Sequence, residues 1–186
     1  MARIIYSVAS SLDGYNSDVQ GDFSWAFPDE AVVAALTADA ESVGTYLLGR
    51  RMYETMAVWE TDPSAAEGSP ASEEFAQLWQ RTEKIVFSSS LAHVWTTRTR
   101  LEPALTLEAV ERARAETSGD ITVEGPTLAS AALRLGVVDV VELLLCPAVV
   151  GGGTRVFPDG LSLDLRLARE RRFDNGMVQM TYDVGR

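Results

Sequence analysis

Two glutamates in this 186-residue sequence stand where a carboxyl group could handle a proton during a reaction. Glu30 begins a predicted helix and follows Trp25 and Pro28, and Glu124 ends a predicted strand. A carboxyl group acts as a general acid or base when its surroundings bring its pKa towards the working pH. The simpler alternatives are a helix N-terminus that Glu30 complements and a solvated surface position for Glu124. The sequence leaves these interpretations open.

Two arginines, Arg50 and Arg51, begin a predicted helix directly after Gly49. Positive charge at a helix N-terminus opposes the helix dipole, so this placement favours a bound anion that neutralises both side chains. The free backbone N–H groups of the first turn would bind the same anion. The alternative is a solvated basic surface in which Gly49 is a turn residue.

Three further junctions between predicted elements carry small residues that let a ligand approach the backbone. They are Ser88-Ser89 after one strand, Gly125-Pro126-Thr127-Leu128 at the start of a helix, and Gly151-Gly152-Gly153-Thr154. None forms the G-x-G-x-x-G fingerprint of standard dinucleotide-binding domains. Ordinary turn and loop positions are the alternative for each.

Composition excludes several classes of function. The net charge of −11 disfavours binding to nucleic acid and to anionic membrane surfaces. One cysteine and one histidine rule out an internal disulfide and a Cys/His zinc cluster, and we expect no metal site. No stretch reaches the roughly 20 apolar residues of a membrane helix. No secretory signal is visible, so we expect a cytoplasmic protein.

Strand-like and helix-like runs alternate along the chain, which predicts an α/β fold in a single domain over residues 1–186. The predicted strands cover 4–9, 46–48, 84–87, 95–101, 121–123 and 140–150. The predicted helices cover 29–43, 50–58, 107–116 and 126–135, with one more that starts near Ser72. Ser72 and Thr106 are the predicted N-caps.

The C-terminal part has a different pattern. Apolar residues alternate with polar ones from Leu163 to Leu167 and from Met177 to Val184, and Asp174-Asn175-Gly176 between them favours a type I′ turn. This predicts an antiparallel hairpin at the edge of a mainly parallel sheet. An edge strand and the apolar run 137–150 need cover, so we expect a homodimer.

Taken in chain order, these segments resemble the dihydrofolate reductase superfamily. Within it they are most similar to the reductase domain of riboflavin biosynthesis, the RibD C-terminal-domain family. The motifs that carry the resemblance are Ser10-Ser11-Leu12-Asp13-Gly14, the segments 47–54 and 85–89, Val123–Leu128 with Leu135–Asp139, and Pro147–Gly153. Gly125-Pro126 departs from the Gly-Gly pair that is frequent in the family.

The resemblance implies a three-layer fold with NADPH across the strand ends. Its 2′-phosphate would lie at Arg50 and Arg51, and its nicotinamide near Ala9 and Gly125. The full set of implied cofactor-binding residues is Ala9, Gly49, Arg50, Arg51, Ser88, Ser89, Gly125, Pro126, Thr127, Leu128, Gly152 and Thr154.

The resemblance also implies a substrate and a reaction. Trp25 and Asp13 would contact the substrate, and Glu30 or Glu124 would supply the proton. The expected activity is an NADPH-dependent reduction of a small pteridine or pyrimidine, of the 5-amino-6-(5-phosphoribosylamino)uracil reductase or dihydrofolate reductase type. A catalytically inactive NADP-binding sensor or interaction protein is the alternative.

Overall fold

The computed structural model describes residues 2–185. Its strands are β1 (Ile4–Ser10), β2 (Tyr15–Ser17), β3 (Val43–Gly49), β4 (Glu83–Phe87), β5 (Thr99–Glu102), β6 (Asp120–Glu124), β7 (Val140–Leu145), β8 (Thr154–Arg155), β9 (Leu165–Arg172) and β10 (Val178–Val184). Its α-helices are α1 (Glu30–Ala40), α2 (Arg50–Met56), α3 (Val58–Thr61), α4 (Pro70–Arg81), α5 (Leu107–Glu116) and α6 (Pro126–Arg134). Short 3-10 helices cover Ser24–Ala26 and Pro63–Ala66.

Eight of these strands form one sheet in the order β5-β4-β3-β6-β1-β7-β10-β9. The six strands from β5 to β7 run parallel, and β10 and β9 are antiparallel at the edge. A separate small sheet pairs β2 with β8. This topology confirms the predicted α/β fold, with its mostly parallel sheet and C-terminal antiparallel hairpin.

Helices cover both faces of the sheet, because the strand residues of both faces are apolar. On one face Tyr6, Ile85 and Val123 join a buried cluster with residues of α5 and α6. On the other face Tyr46 and Leu48 pack with residues of α2 and α4, and a neighbouring cluster includes Val32 of α1. The three layers agree with the expected dihydrofolate-reductase-like arrangement.

Helix starts are fixed by side-chain caps that differ in part from the predicted ones. Asp29 lies outside α1 and caps it, because its carboxylate accepts a hydrogen bond from the Val32 N–H at 3.0 Å. Ser69, not Ser72, caps α4, since Pro70 fits the first helical position. The predicted cap Thr106 is confirmed, with its hydroxyl accepting from the Ala109 N–H at 3.2 Å.

Two predicted strands are too long. The stretch 95–98 does not join β5, because the N–H groups of Trp95 and Thr96 donate to the Tyr53 hydroxyl at 2.8 and 3.1 Å. The strand predicted over 140–150 ends at Leu145, two residues before Pro147, which has no N–H for a ladder. The predicted helix 29–43 is also too long, since residues from 43 onward belong to β3.

The hairpin between β9 and β10 is confirmed, but its turn is not type I′. A type I′ turn needs positive φ at both central residues, and in this loop only Gly176 has one, at 87°. The Gly176 N–H donates to the Phe173 carbonyl at 3.0 Å, as in a three-residue loop that ends on a left-handed glycine.

Strand β9 forms one edge of the sheet, and Leu165 and Leu167 are exposed on it. This is the kind of edge from which we expect a homodimer, and the homodimer stays a prediction. Among the helices of residues 2–185, none has both the length and the apolar character needed to span a membrane.

Candidate functional site

The carboxyl ends of the central parallel strands meet at one edge of the sheet. In the strand register Gly49 lies beside Phe87, and Glu124 is flanked by Leu48 and Ser7. Ligands of open α/β sheets bind beyond this edge, where the following helices begin. The geometry therefore brings three of the predicted junctions, those after β3, β4 and β6, into one place.

Two of these junctions touch each other directly. Gly125 has a φ of 87°, and a Cβ on it would lie 3.2 Å from the Cβ of Met52 in α2. A Cβ on Gly49 would lie 3.7 Å from the Cβ of Leu128 in α6. Glycine at 125 thus allows a backbone conformation that other residues rarely adopt, and it lets α2 and α6 begin side by side.

The starts of α2 and α6 differ from those of the longer capped helices. Side chains of Asp29, Ser69 and Thr106 accept hydrogen bonds at the starts of α1, α4 and α5. Neither Gly49 before α2 nor Gly125 before α6 provides a side-chain cap. The N–H groups of these two first turns, apart from Pro126, which has none, are therefore available to an anion.

The predicted arginine pair lies next to the predicted serine turn. Arg50 donates to Glu54 at 2.8 Å and to Ser90 at 3.2 Å. Arg51 is exposed, and its guanidinium has no hydrogen-bond or ion-pair partner among the described residues. The Ser88 hydroxyl holds its own turn by accepting from the N–H groups of residues 90 and 91. This corner offers a positive charge and hydroxyl groups to an anion.

Glu124 is the carboxyl group best suited to proton transfer at this edge. Its residue is only partly exposed, and burial raises its pKa to about 7. Within residues 2–185 no hydrogen bond or ion pair reaches it. A carboxyl group in this state exchanges its proton near neutral pH, which is typical of a catalytic acid or base.

Tyr46 lies on the same face of the sheet as Glu124, because it pairs with Thr122 two residues before Glu124. Its hydroxyl is buried and has no partner among the described residues. Burial raises the pKa of Tyr46, and the charge of Glu124 raises it further. This tyrosine is a functional candidate that the sequence did not indicate, because its apolar strand made it look like a core residue. Ser90 directly follows the predicted pair Ser88-Ser89 and shares its turn.

The other predicted catalytic acid, Glu30, is exposed at the first position of α1. Trp25, in the preceding 3-10 helix, packs in a cluster with Ala9 of β1 and Leu144 of β7. Its indole N–H is buried and has no hydrogen-bond partner among residues 2–185. The structure thus brings Trp25 to the end of β1 and leaves Glu30 in solvent.

Asp13 holds two loops together. Its carboxylate accepts from the N–H groups of Val150 and Gly151 at 3.1 and 2.7 Å. Hydrogen bonds, first from Ser11 and then from these backbone groups, lower its pKa. The geometry gives Asp13 a structural role, and its contact with substrate stays a prediction.

The glycine-rich loop after β7 is shaped by close packing against β2. A Cβ on Gly153, whose φ is 126°, would collide with the Ser17 carbonyl. A Cβ on Gly152 would lie 3.1 Å from a methyl group of Val19. Thr154 is exposed and pairs with Ser17. These glycines are needed for packing, and cofactor contacts of Gly152 and Thr154 stay predictions.

A surface depression of about 420 Å³ lies at the opposite edge of the sheet. It is lined by Ala2, Ser42, Arg114, Thr117, Ser118, Gly119 and Asp120. This edge holds the amino ends of the strands, where ligands of α/β sheets do not normally bind. We therefore place the candidate site at the carboxyl edge.

Comparison with solved structures defines the class of fold. Dihydrofolate reductase from Enterococcus faecalis, solved as a complex with NADP(H), aligns with a TM-score of 0.63 at 12% identity, over 99% of this chain and 97% of that one. A diaminohydroxyphosphoribosylaminopyrimidine deaminase/5-amino-6-(5-phosphoribosylamino)uracil reductase from Thermotoga maritima aligns with a TM-score of 0.66 at 15% identity. That alignment covers 99% of this chain and 57% of the longer protein. The fold is that of the dihydrofolate-reductase-like proteins.

The family follows from the sequence match. The family model of the RibD C-terminal domain matches residues 2–179, and the chain belongs to this family. Uncharacterized protein YyaP of Bacillus subtilis (strain 168) is 26% identical over 182 residues, which cover 97% of this chain and 94% of that protein. The resemblance inferred from the ordered motifs is confirmed.

Proposed function

We propose that this protein is an NADPH-dependent reductase that acts on a small pteridine or pyrimidine at the carboxyl edge of the sheet. The observation that carries the proposal is Glu124, a partly buried carboxyl group with a pKa of about 7 and no partner among the described residues. It stands beside the junction where α2 and α6 begin without side-chain caps.

The residues of this edge fit a dinucleotide phosphate. Arg51 has an uncommitted guanidinium, and Arg50 lies next to it with hydrogen bonds to Glu54 and Ser90. Guanidinium groups bind phosphate through charge-assisted hydrogen bonds. The uncapped first turns of α2 and α6 would bind the pyrophosphate. Ser88 and Ser89 would lie at the adenosine end.

The reactive end of the cofactor would lie between Ala9 and Gly125, next to Glu124. NADPH, when bound, supplies the hydride. Glu124 supplies the proton, because at a pKa of about 7 a large fraction of it is protonated at neutral pH. Trp25 orients the substrate with its free indole N–H. Glu30, which is exposed, is the second candidate for the proton donor.

The names of two proteins of similar structure support the proposed type of reaction. The Thermotoga maritima protein is named as a 5-amino-6-(5-phosphoribosylamino)uracil reductase, and the Enterococcus faecalis structure contains NADP(H). Both share the fold at low identity. The uracil reductase and dihydrofolate reductase activities are therefore the two activity types that we propose to test first.

The test measures cofactor binding and turnover separately. Titration of the protein with NADPH and with NADH, followed by tryptophan fluorescence, should show saturable binding with preference for NADPH. NADPH absorbance is then followed with pterin and aminouracil acceptors. Tight NADPH binding without turnover of any such acceptor would favour the inactive sensor instead. Absence of NADPH binding would contradict both functions.

A further inference from the structure

We call the space beyond the carboxyl edge of the sheet the cleft. The half of it that is bordered by β1, β2 and α1 carries no basic side chain of its own. Residues 4–38, which contain β1, β2 and most of α1, include five carboxylates and neither lysine nor arginine. Residues 143–154, from the end of β7 to the start of β8, have no charged side chain at all. Both segments border the place where the proposed substrate would lie.

Three arginines of the neighbouring strands β8 and β9 have acidic partners, and one of them, Arg171, pairs with Asp39 at 3.6 Å. Arg155 pairs with Asp159 at 3.5 Å, and its guanidinium lies 5.2 Å from the centre of the Tyr15 ring. Arg169 of β9 is held by Asp39 at 2.8 Å and by Glu142 at 3.1 Å. A phosphate in this half would therefore compete with a carboxylate for each of these three arginines.

The same half exposes an unusual amount of apolar surface. Five large apolar side chains are solvent-exposed along the segments that border it: Leu12 (58%), Val19 (70%), Phe23 (43%), Phe27 (67%) and Val149 (72%). The Phe23 and Phe27 rings lie 6.0 Å apart, centre to centre. A hydrogen bond of 2.8 Å from the Leu12 N–H to the Ala148 carbonyl joins the loops that carry Leu12 and Val149. Grouped exposed apolar residues beside a cleft mark a binding surface.

Hydrogen-bonding groups are still available here, and they are neutral. The indole N–H of Trp25 is buried without a partner among residues 2–185, as is the hydroxyl of Tyr46 on β3, on the other side of β6 from β1. Buried polar groups normally have partners, and a bound heterocycle with ring nitrogens and carbonyl oxygens would provide them. Glu124 adds a carboxyl group that is neutral for much of the time near pH 7.

We infer that the substrate is an unphosphorylated heterocycle, neutral or cationic, that binds against this apolar surface. The inference rests on the proposed function and narrows it. A phosphate dianion needs charged donors, and beside these carboxylates it would be repelled. The phosphoribosyl substrate in the name of the Thermotoga maritima relative is therefore the wrong kind of molecule for this cleft.

The test compares matched pairs of probes on the protein saturated with NADPH. One pair is 5-amino-6-(5-phosphoribosylamino)uracil and its dephosphorylated nucleoside, and the other is 7,8-dihydroneopterin and its phosphate. We expect the unphosphorylated member of each pair to bind at least about tenfold more tightly, which corresponds to roughly 1.4 kcal/mol. Equal or tighter binding of the phosphorylated members would overturn the inference.

A charge-gain variant sharpens this result. Phe27→Arg places a cation on the apolar rim, and because Phe27 is exposed the fold should tolerate it. This variant should reduce several-fold the ratio of the affinities for the unphosphorylated and the phosphorylated probe of each pair. Leu135→Arg is the matched control, since Leu135 is also exposed but follows α6 at the opposite edge of the sheet. An equal effect of both variants would contradict a local charge mechanism.

Two failures remain distinguishable. Lack of NADPH binding by the wild-type protein would overturn the proposed function. Normal NADPH binding, with no binding of either member of either pair, would leave the cofactor site in place and overturn the inferred substrate class.

Discussion

The two halves of the cleft carry side chains of opposite charge and polarity. The half after β3, β4 and β6 offers Arg50, Arg51, serine hydroxyls and two uncapped helix starts. The half formed by β1, β2 and α1 offers carboxylates, aromatic rings and a helix start already capped by Asp29. In a protein of net charge −11, positive groups gathered at one corner define where an anion can bind. In the proposed function this contrast assigns the cofactor to the first half and the substrate to the second.

The largest effect that we expect falls on the carboxyl group between the two halves. Glu124→Gln should lower turnover by roughly 10²- to 10⁴-fold, because general acid–base help has that magnitude, while NADPH affinity stays the same. Steady-state kinetics and cofactor titration measure the two quantities. Glu30→Gln is the comparison, and the exposure of Glu30 predicts a much smaller loss. If Glu30→Gln had the larger effect, the proton assignment would be reversed.

The second-largest effect concerns the positively charged corner formed by Arg50, Arg51 and the turn at Ser88. Replacing Arg50 and Arg51 together by alanine should reduce the preference for NADPH over NADH by about 10- to 150-fold, from roughly 1.5–3 kcal/mol of charge-assisted contact. Titration of both cofactors against both proteins measures the ratio. Arg166→Ala with Arg172→Ala is the control, since both arginines are exposed on the edge strand β9. An unchanged ratio of NADPH to NADH affinity in the Arg50/Arg51 variant would contradict the placement of the 2′-phosphate at this corner.

The raised pKa of Glu124 also predicts a pH dependence of stability. The folded protein holds this proton up to a pH of about 7, whereas the unfolded chain releases it near 4.5. The group therefore favours folding below pH 4.5, and this contribution is lost as the pH rises through 7. Relative to the wild type, Glu124→Gln should gain less than about 1 kcal/mol of stability at pH 5 and up to about 3 kcal/mol at pH 8.

Urea unfolding at the two pH values, without cofactor, measures this difference. Comparison with the wild type cancels the contributions of other titrating groups, such as Glu142, whose pKa is also raised by burial. A constant stability difference between the two proteins from pH 5 to pH 8 would show that Glu124 does not titrate in this range.

The smallest effect distinguishes capped from uncapped helix starts. Thr106→Ala removes the cap of α5 and should cost about 1 kcal/mol of unfolding free energy. Thr127→Ala at the start of α6 removes no cap and should change stability by less than about 0.5 kcal/mol. Denaturant unfolding of both variants tests this. A comparable loss in Thr127→Ala would mean that its hydroxyl already satisfies the helix start.

Much of the fold was accessible from the sequence because its signals are local. Alternating apolar runs located the strands, and the Asn-Gly pair located the terminal hairpin. The errors arose where a distant group decided the structure. The Tyr53 hydroxyl binds the N–H groups of residues 95 and 96 and keeps them out of β5. At position 176 one glycine alone has positive φ, so the turn type differs from the predicted one.

The candidate site was predictable in its parts but not in its electrostatics. Arg50 and Arg51 stood out because positive charge opposes a helix start, and Gly125 because it stands between a strand and a helix. The pKa of Glu124 depends on what packs around it, and the sequence does not contain that information locally. Asp13 shows the opposite case, since its motif suggested a ligand contact and the structure uses its carboxylate to hold a loop.

The hydrogen bonds of Asp13 restrain two loops at the entrance to the cleft. Its two hydrogen bonds, together with the bond between Leu12 and Ala148, fasten the loop after β1 to the loop after β7. Three hydrogen bonds thus join the two loops, so neither loop can move away from the other without breaking at least one of them.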